Sequence, residues 1–72
     1  MIKKYKMQDV DCADCAAKME RSIRKIDGVN DATISFMTQK LTIDVEDDKL
    51  DSVLAEAQRR VSKVDAEAKI LI

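Results

Sequence analysis

Residues 14–28, Asp-Cys-Ala-Ala-Lys-Met-Glu-Arg-Ser-Ile-Arg-Lys-Ile-Asp-Gly, decide the fold. Ala16, Met19, Ile23 and Ile26 fall at offsets of three, seven and ten, one face of an amphipathic helix. Asp14–Lys18 and Glu20–Arg24 stand four residues apart with the acid first, which supports a helix from its solvent side. Gly28, the only glycine, stands where a left-handed C-terminal cap is needed.

On either side of this helix the hydrophobic period becomes two. Upstream, Ile2 to Gln8 alternates around Tyr5 and Met7 and predicts a strand, and the polar, short-chained Asp9 to Ala13 predicts a loop. Downstream, Ala32, Ile34 and Phe36 alternate with Thr33 and Ser35, Met37 to Lys40 can turn the chain, and Leu41, Ile43 and Val45 alternate again. These two runs read as a hairpin, with Phe36 as the core's main aromatic. Glu46-Asp47-Asp48 then opens a second helix, with Asp48 as its expected N-cap and Asp51 in the first turn, where acids suit the dipole. Leu50, Leu54, Ala57, Val61 and Val64 form its apolar stripe, and Ala66, Ala68, Ile70 and Ile72 alternate as a last strand. The order β-α-β-β-α-β with right-handed crossovers predicts an α+β fold: a ferredoxin-like βαββαβ sandwich, its antiparallel four-stranded sheet covered by two helices on one face. One domain is expected over residues 1–72, with the other sheet face solvated unless a partner covers it.

Composition narrows the function. The 72 residues carry 13 Lys+Arg against 14 Asp+Glu, a net charge of -1 that gives no basic surplus for nucleic acid or an anionic membrane surface. At 46% hydrophobic and 38% charged the chain is too apolar for disorder. Trp is absent and Tyr5 and Phe36 are the only aromatics, so the core must be aliphatic. A domain of this size buries only about 60% of its unfolded surface, so stability should be modest and room for a substrate pocket small. An enzyme acting alone is not expected. With no His, imidazole can neither shuttle protons nor ligate a metal. The charged start Met1-Ile2-Lys3-Lys4 is followed by no apolar stretch, so neither a signal peptide nor direct membrane insertion is expected. A single close Cys pair is a poor staple for a secreted mini-protein. A monomer in the reducing cytoplasm, with both thiols available, is the expectation.

The chemistry falls in Asp9-Val10-Asp11-Cys12-Ala13-Asp14-Cys15. One thiol in a loop and one in the first turn of a helix can converge on a single ion, and the helix N-terminus favours thiolate. Thiolates are soft ligands, suited to Cu(I), Zn(II) or Cd(II). Other readings compete: two small buried residues, which the flanking Asp residues oppose, or half a zinc ribbon, which lacks its second pair. A redox dithiol is also conceivable, though Pro and aromatics are missing around the motif.

The segments 11–20 (Asp-Cys-Ala-Asp-Cys-Ala-Ala-Lys-Met-Glu), 26–29 (Ile-Asp-Gly-Val), 32–36 (Ala-Thr-Ile-Ser-Phe) and 40–43 (Lys-Leu-Thr-Ile) resemble a heavy-metal-associated domain. That family includes soluble metallochaperones and the N-terminal domains of heavy-metal-transporting P-type ATPases, and the likeness runs from about Tyr5 to Ile70. The resemblance implies metal binding by Cys12 and Cys15 and handover of the ion by thiol exchange, without catalysis in this domain. Its implied partners are the membrane-embedded or catalytic domains of a metal-transporting ATPase, or a metal-donor protein.

Two departures from the copper-handling members are informative. Where they have Gly-Met and a small residue before the first Cys, this chain has Asp9-Val10-Asp11, with Val10 able to do the packing of the Met. An Asp directly before the first Cys is similar to the zinc, cadmium and lead exporting branch, where it joins the thiolates as a ligand. Zn(II) and Cd(II) want about four ligands, and Asp11 supplies an oxygen beside two thiolates. Asp11 could instead cap the helix. Asp9 and Asp14 are expected to be solvated. The second departure is at Lys63-Val64, where many members have Gly and an aromatic. Lys63 there could offset thiolate charge, as in some copper chaperones, or simply be solvated at a helix end. Met7 and Met19 fall on core stripes rather than among ligands. Lys18, Arg21, Arg24 and Lys25 form a solvated face or, alternatively, dock an acidic partner. The sequence therefore predicts a Zn(II) or Cd(II) module of a heavy-metal ATPase, with a Cu(I) metallochaperone as the alternative. The end at Ile72, directly after the last expected strand, is what an excised domain would show, and a free-standing chaperone could end there as well.

Overall fold

Alternation in the strands and the helical stripes are both realised. In the computed structural model, which describes residues 1–10 and 12–71, the chain runs β1 (Ile2–Gln8), α1 (Ala13–Arg24), β2 (Val29–Ser35), β3 (Lys40–Val45), a 3-10 turn (Asp47–Lys49), α2 (Leu50–Val64) and β4 (Lys69–Leu71). The sheet order is β2-β3-β1-β4 and every pairing is antiparallel. Tyr5 stands opposite Leu41, and Met7 opposite Ile70. The inward residues Met7, Ala32, Ile34, Leu41, Ile43, Val45 and Ile70 meet Ala16, Met19 and Ile23 of α1 and Val53, Ala57 and Val61 of α2 in one core. This is the predicted ferredoxin-like βαββαβ sandwich. The outward residues Lys4, Lys6, Lys40 and Lys69 leave the other face to solvent.

Edge strands expose unpaired backbone groups that invite foreign strands. Here helix side chains cover them. On β2, Arg24 Nε donates to Ala32 O at 2.9 Å and Glu20 Oε2 accepts from Ile34 N at 3.0 Å. On β4, Gln58 Oε1 accepts from Ile70 N at 3.0 Å. Arg24 also pairs with Glu20 at 2.9 Å and Asp31 at 3.1 Å, so it is committed to the scaffold rather than to an open basic face. The expected Asp14–Lys18 pair is not among the ion pairs of the described residues.

Several local expectations are corrected. α1 stops at Arg24, and Ile26, though buried, lies in the turn beyond it. Gly28 has a left-handed φ of 99°, but in a turn closed by Val29 N donating to Ile26 O at 3.1 Å, not at the helix cap. Phe36 is 40% exposed because β2 ends at Ser35 and the chain turns before the alternation can return it inward, so the core's aromatic share falls to half-buried Tyr5. Asp48 lies inside the 3-10 turn, and Lys49 precedes α2 without a side-chain cap. Ala66 is exposed in the turn before β4, and Ile72 lies outside the described residues.

Candidate metal centre

β1 and α1 are joined by the loop that carries the first thiol. Asp9 takes a left-handed φ of 60°, which turns the chain off the sheet, and Val10 drops its side chain into the core at 1% exposure. That is the packing role expected of it. The loop backbone is held from the β2–β3 turn: Met7 N donates to Gln39 O at 2.7 Å, Val10 N donates to Gln39 Oε1 at 2.9 Å, and Gln39 Nε2 donates to Val10 O and to Phe36 O. Gln39 itself is left-handed, with φ 55°.

Cys12 is the N-cap of α1, in extended backbone, and Cys15 sits in the first turn. Both are free thiols, Cys12 exposed and Cys15 half-buried. The peptide of Cys15 donates to Cys12 Sγ at 3.4 Å, and Ala16 N donates to Cys12 O at 3.0 Å. Sulfur thus takes the place an oxygen usually occupies at a helix start, satisfying a donor that would otherwise be orphaned. The capping peptide, and then a hydrogen bond from the Cys15 thiol, push the Cys12 thiol below its ordinary pKa. The same thiol–thiol bond pushes Cys15 up, with its partial burial and the charges of Cys12 and Asp65 adding to the effect and Lys18 opposing it. A helix N-terminus was expected to favour thiolate in general. Only one thiol gains, because the second is the donor that stabilises the first.

Lys18 is a cation that acts on Cys15, and Lys63 is exposed in the last turn of α2. Asp9 and Asp14 are solvated, and Met7 and Met19 are buried in the core, as expected. Asp11, the expected carboxylate ligand, lies outside the described residues. Among the described residues no three Cys, Asp or Glu side chains gather closely enough to hold an ion. The pair Cys12–Cys15 is what the fold presents: two soft donors at a solvent-facing helix start, one with its pKa lowered.

The family profile of the heavy-metal-associated domain matches residues 4–67, nearly the whole chain. The chain belongs to that family. Its curated relatives include the "Cadmium, zinc and cobalt-transporting ATPase" of Helicobacter pylori, 41% identical over 46 residues, which are 64% of this chain and 7% of that protein. The "Zinc/cadmium/lead-transporting P-type ATPase" of Escherichia coli is 41% identical over 44 residues, 61% of this chain and 6% of that protein. The heavy-metal-associated domain thus matches only a small part of those ATPases. Among solved structures, "CopZ metallochaperone" superposes with a TM-score of 0.77 at 15% identity, covering 99% of this chain and 100% of that one. The N-terminal domain of a potential copper-translocating P-type ATPase from Bacillus subtilis, in the Cu(I)-loaded state, superposes with a TM-score of 0.76 at 22% identity, covering 96% and 84%. These structural likenesses establish the ferredoxin-like fold. No helix among the described residues is long and apolar enough to cross a membrane.

One contributor to this site, Gln39, escaped the sequence reading. A polar residue in a short turn carries no signal that its side chain reaches back to another loop.

Proposed function

We propose that this heavy-metal-associated domain takes up Zn(II) or Cd(II) through Cys12, Cys15 and Asp11, as the cytosolic N-terminal regulatory or delivery domain of a heavy-metal P-type ATPase. The observation that carries the reading is the pair of free thiols at the N-terminus of α1, with Cys12 exposed and stabilised as thiolate by the peptide of Cys15. An arriving divalent ion displaces the thiol protons to solvent, and two thiolates neutralise its charge. Such ions want further donors, and Asp11, next to Cys12 in sequence, supplies an oxygen. Exposure of Cys12 leaves room for a partner's ligand to enter before the domain's own ligands leave, which is how an ion passes on without being released. Similarity to ATPases named for cadmium, zinc, cobalt and lead supports the divalent reading.

A second reading, a Cu(I) metallochaperone, follows if Cys12 and Cys15, the two free thiols at the start of α1, are the whole ligand set. Two thiolates suffice for Cu(I), and a carboxylate adds nothing it needs. Titrating the reduced domain with Zn(II), Cd(II) and Cu(I) against chelators, in wild type and in Asp11→Ala, separates the two. Tight 1:1 binding of Zn(II) or Cd(II) that weakens in Asp11→Ala is the expected result. Tight Cu(I) binding indifferent to Asp11, with feeble Zn(II) binding, would replace it with copper trafficking. A dithiol redox role predicts instead a readily reversible Cys12–Cys15 disulfide and little affinity for any of these ions.

A further inference from the structure

We infer that Gln39, in the turn between β2 and β3, is a positioning residue for the metal loop. The inference rests on the proposed metal site. Three features converge on it. Gln39 grips Val10 at both backbone groups, accepting from its N–H at 2.9 Å and donating to its carbonyl, across 29 residues of sequence. Its own carbonyl accepts from Met7 N at 2.7 Å, so the end of β1 and the start of the loop are tied to one residue. Its φ of 55° is a conformation that a residue with a side chain rarely adopts, and here it aims the side chain at the loop. A fourth bond, from Nε2 to Phe36 O, braces the amide within its own turn.

The geometry matters because Val10 is the last residue before the ligands that is anchored in the core. Beyond it the chain reaches Cys12, whose sulfur must point at the same ion as that of Cys15 on the rigid helix. Cys15 has its direction set by α1. Cys12 is tied to α1 by its capping bonds but enters from the loop, and Gln39 is what holds the loop backbone. A loosened loop must be ordered again each time an ion binds, and that entropy cost lowers affinity without removing any ligand.

Gln39→Gly isolates this role. Glycine keeps the turn backbone and its bond to Met7, adopts φ 55° without strain, and removes the grip on Val10 together with the brace to Phe36 O. The metal-free variant should stay folded and unfold several degrees lower, because the part-buried Val10 N–H loses its partner, while the Val10 amide exchanges faster. Its Cd(II) and Zn(II) affinities should fall about tenfold, the lower end of what losing a hydrogen bond that supports a ligand costs. Gln39→Met, of similar length without polar atoms, should lose as much. Thr38→Ala, in the same turn but exposed, should bind as wild type. The readouts are chelator competition with each ion, the Cd(II)–thiolate absorption, and amide exchange at Val10. Wild-type affinity in both Gln39 variants would overturn the inference and leave the metal site standing. Failure of the wild-type domain to bind either ion would overturn the site itself, and this role with it.

Discussion

At its C-terminal end α1 closes onto the chain that follows it. Lys25 N donates to Ser22 O at 3.2 Å, Ile26 N to Ile23 O at 3.0 Å, and Val29 N to Ile26 O at 3.1 Å. Ile26 is buried over this last turn, and Gly28 O accepts from Glu46 N at 3.0 Å, fastening the turn to the start of the second half. At its N-terminal end the same helix is capped by a sulfur exposed to solvent, with a half-buried thiol one turn in. One end satisfies its backbone with backbone and seals it with an apolar side chain. The other leaves its backbone to a group that a metal can claim. Stability and metal exchange should therefore respond to substitutions at opposite ends of one helix, and this separation can be tested.

The largest expected effect is at the thiol end. Cys12→Ser or Cys15→Ser should weaken Zn(II), Cd(II) and Cu(I) binding by more than about a hundredfold, beyond the 10–100-fold that losing a group that merely supports a ligand costs. The fold should be spared in Cys12→Ser, because Ser is a better N-cap than a neutral thiol and changes stability by no more than about 1 kcal/mol. Chelator competition and thermal unfolding of the metal-free variants check the two halves separately. Stoichiometric tight binding in either variant would break the assignment, and a large drop in unfolding temperature for Cys12→Ser would break the separation.

Gly28→Ala should give the reverse pattern. The left-handed φ of 99° costs a residue with a side chain about 1–2 kcal/mol. The new Cβ would also stand 3.3 Å from Val53 Cγ2, 3.2 Å from Lys49 Cβ and 2.8 Å from Lys49 Cδ. Lys49 can swing aside only by loosening its 3.2 Å pair with Asp27, an exposed contact of little worth, while Val53 is buried and cannot give as easily. A loss of about 2 kcal/mol, lowering the unfolding temperature by roughly 10 °C, is expected. Metal affinity of the folded protein should stay at the wild-type value. A variant that unfolds like wild type, or one that keeps its stability and loses metal, would remove the contrast.

The pattern of what was legible follows from the range of the forces involved. Period two over Leu41, Ile43 and Val45 and the helical stripe over Ala16, Met19 and Ile23 report burial directly, and they place the strands, the helices and Cys12 relative to Cys15. Periodicity misleads where an element ends. Ile26 continues the helical spacing but lies in the turn, and Phe36 continues the strand spacing but faces solvent, because the chain changes direction between them and their elements. Asp48 looks like a cap by residue type, yet a 3-10 turn intervenes before α2. Gly28 is left-handed as expected, and its turn is set by contacts with Glu46 that no local pattern announces. At the site, residue types identified the two thiols, while the division of labour between them depends on which thiol donates to the other. Gln39 was invisible for the same reason: its effect is a reach across 29 residues.

That division of labour gives the smallest effect, and it sharpens the comparison within the N-terminal end itself. Cys12 is exposed with a lowered pKa, and Cys15 is half-buried with a raised one. In the metal-free, reduced domain, iodoacetamide should modify Cys12 several-fold faster than Cys15 at mildly alkaline pH, as mass spectrometry of the digested protein would resolve. The thiolate is the reacting form, so lowering the pH removes the Cys15 thiolate first and Cys12 second. A lower pKa also makes a thiolate intrinsically less nucleophilic, but only by about 0.4–0.5 of a decade per unit, less than the gain in thiolate population below both pKa values. The preference for Cys12 should accordingly be greatest at the lower pH values and narrow as the solution passes the pKa of Cys15, leaving exposure as the remaining difference. Faster modification of Cys15, or a preference that does not change with pH, would mean that the peptide of Cys15 does not hold Cys12 as the thiolate and that the helix start favours neither sulfur.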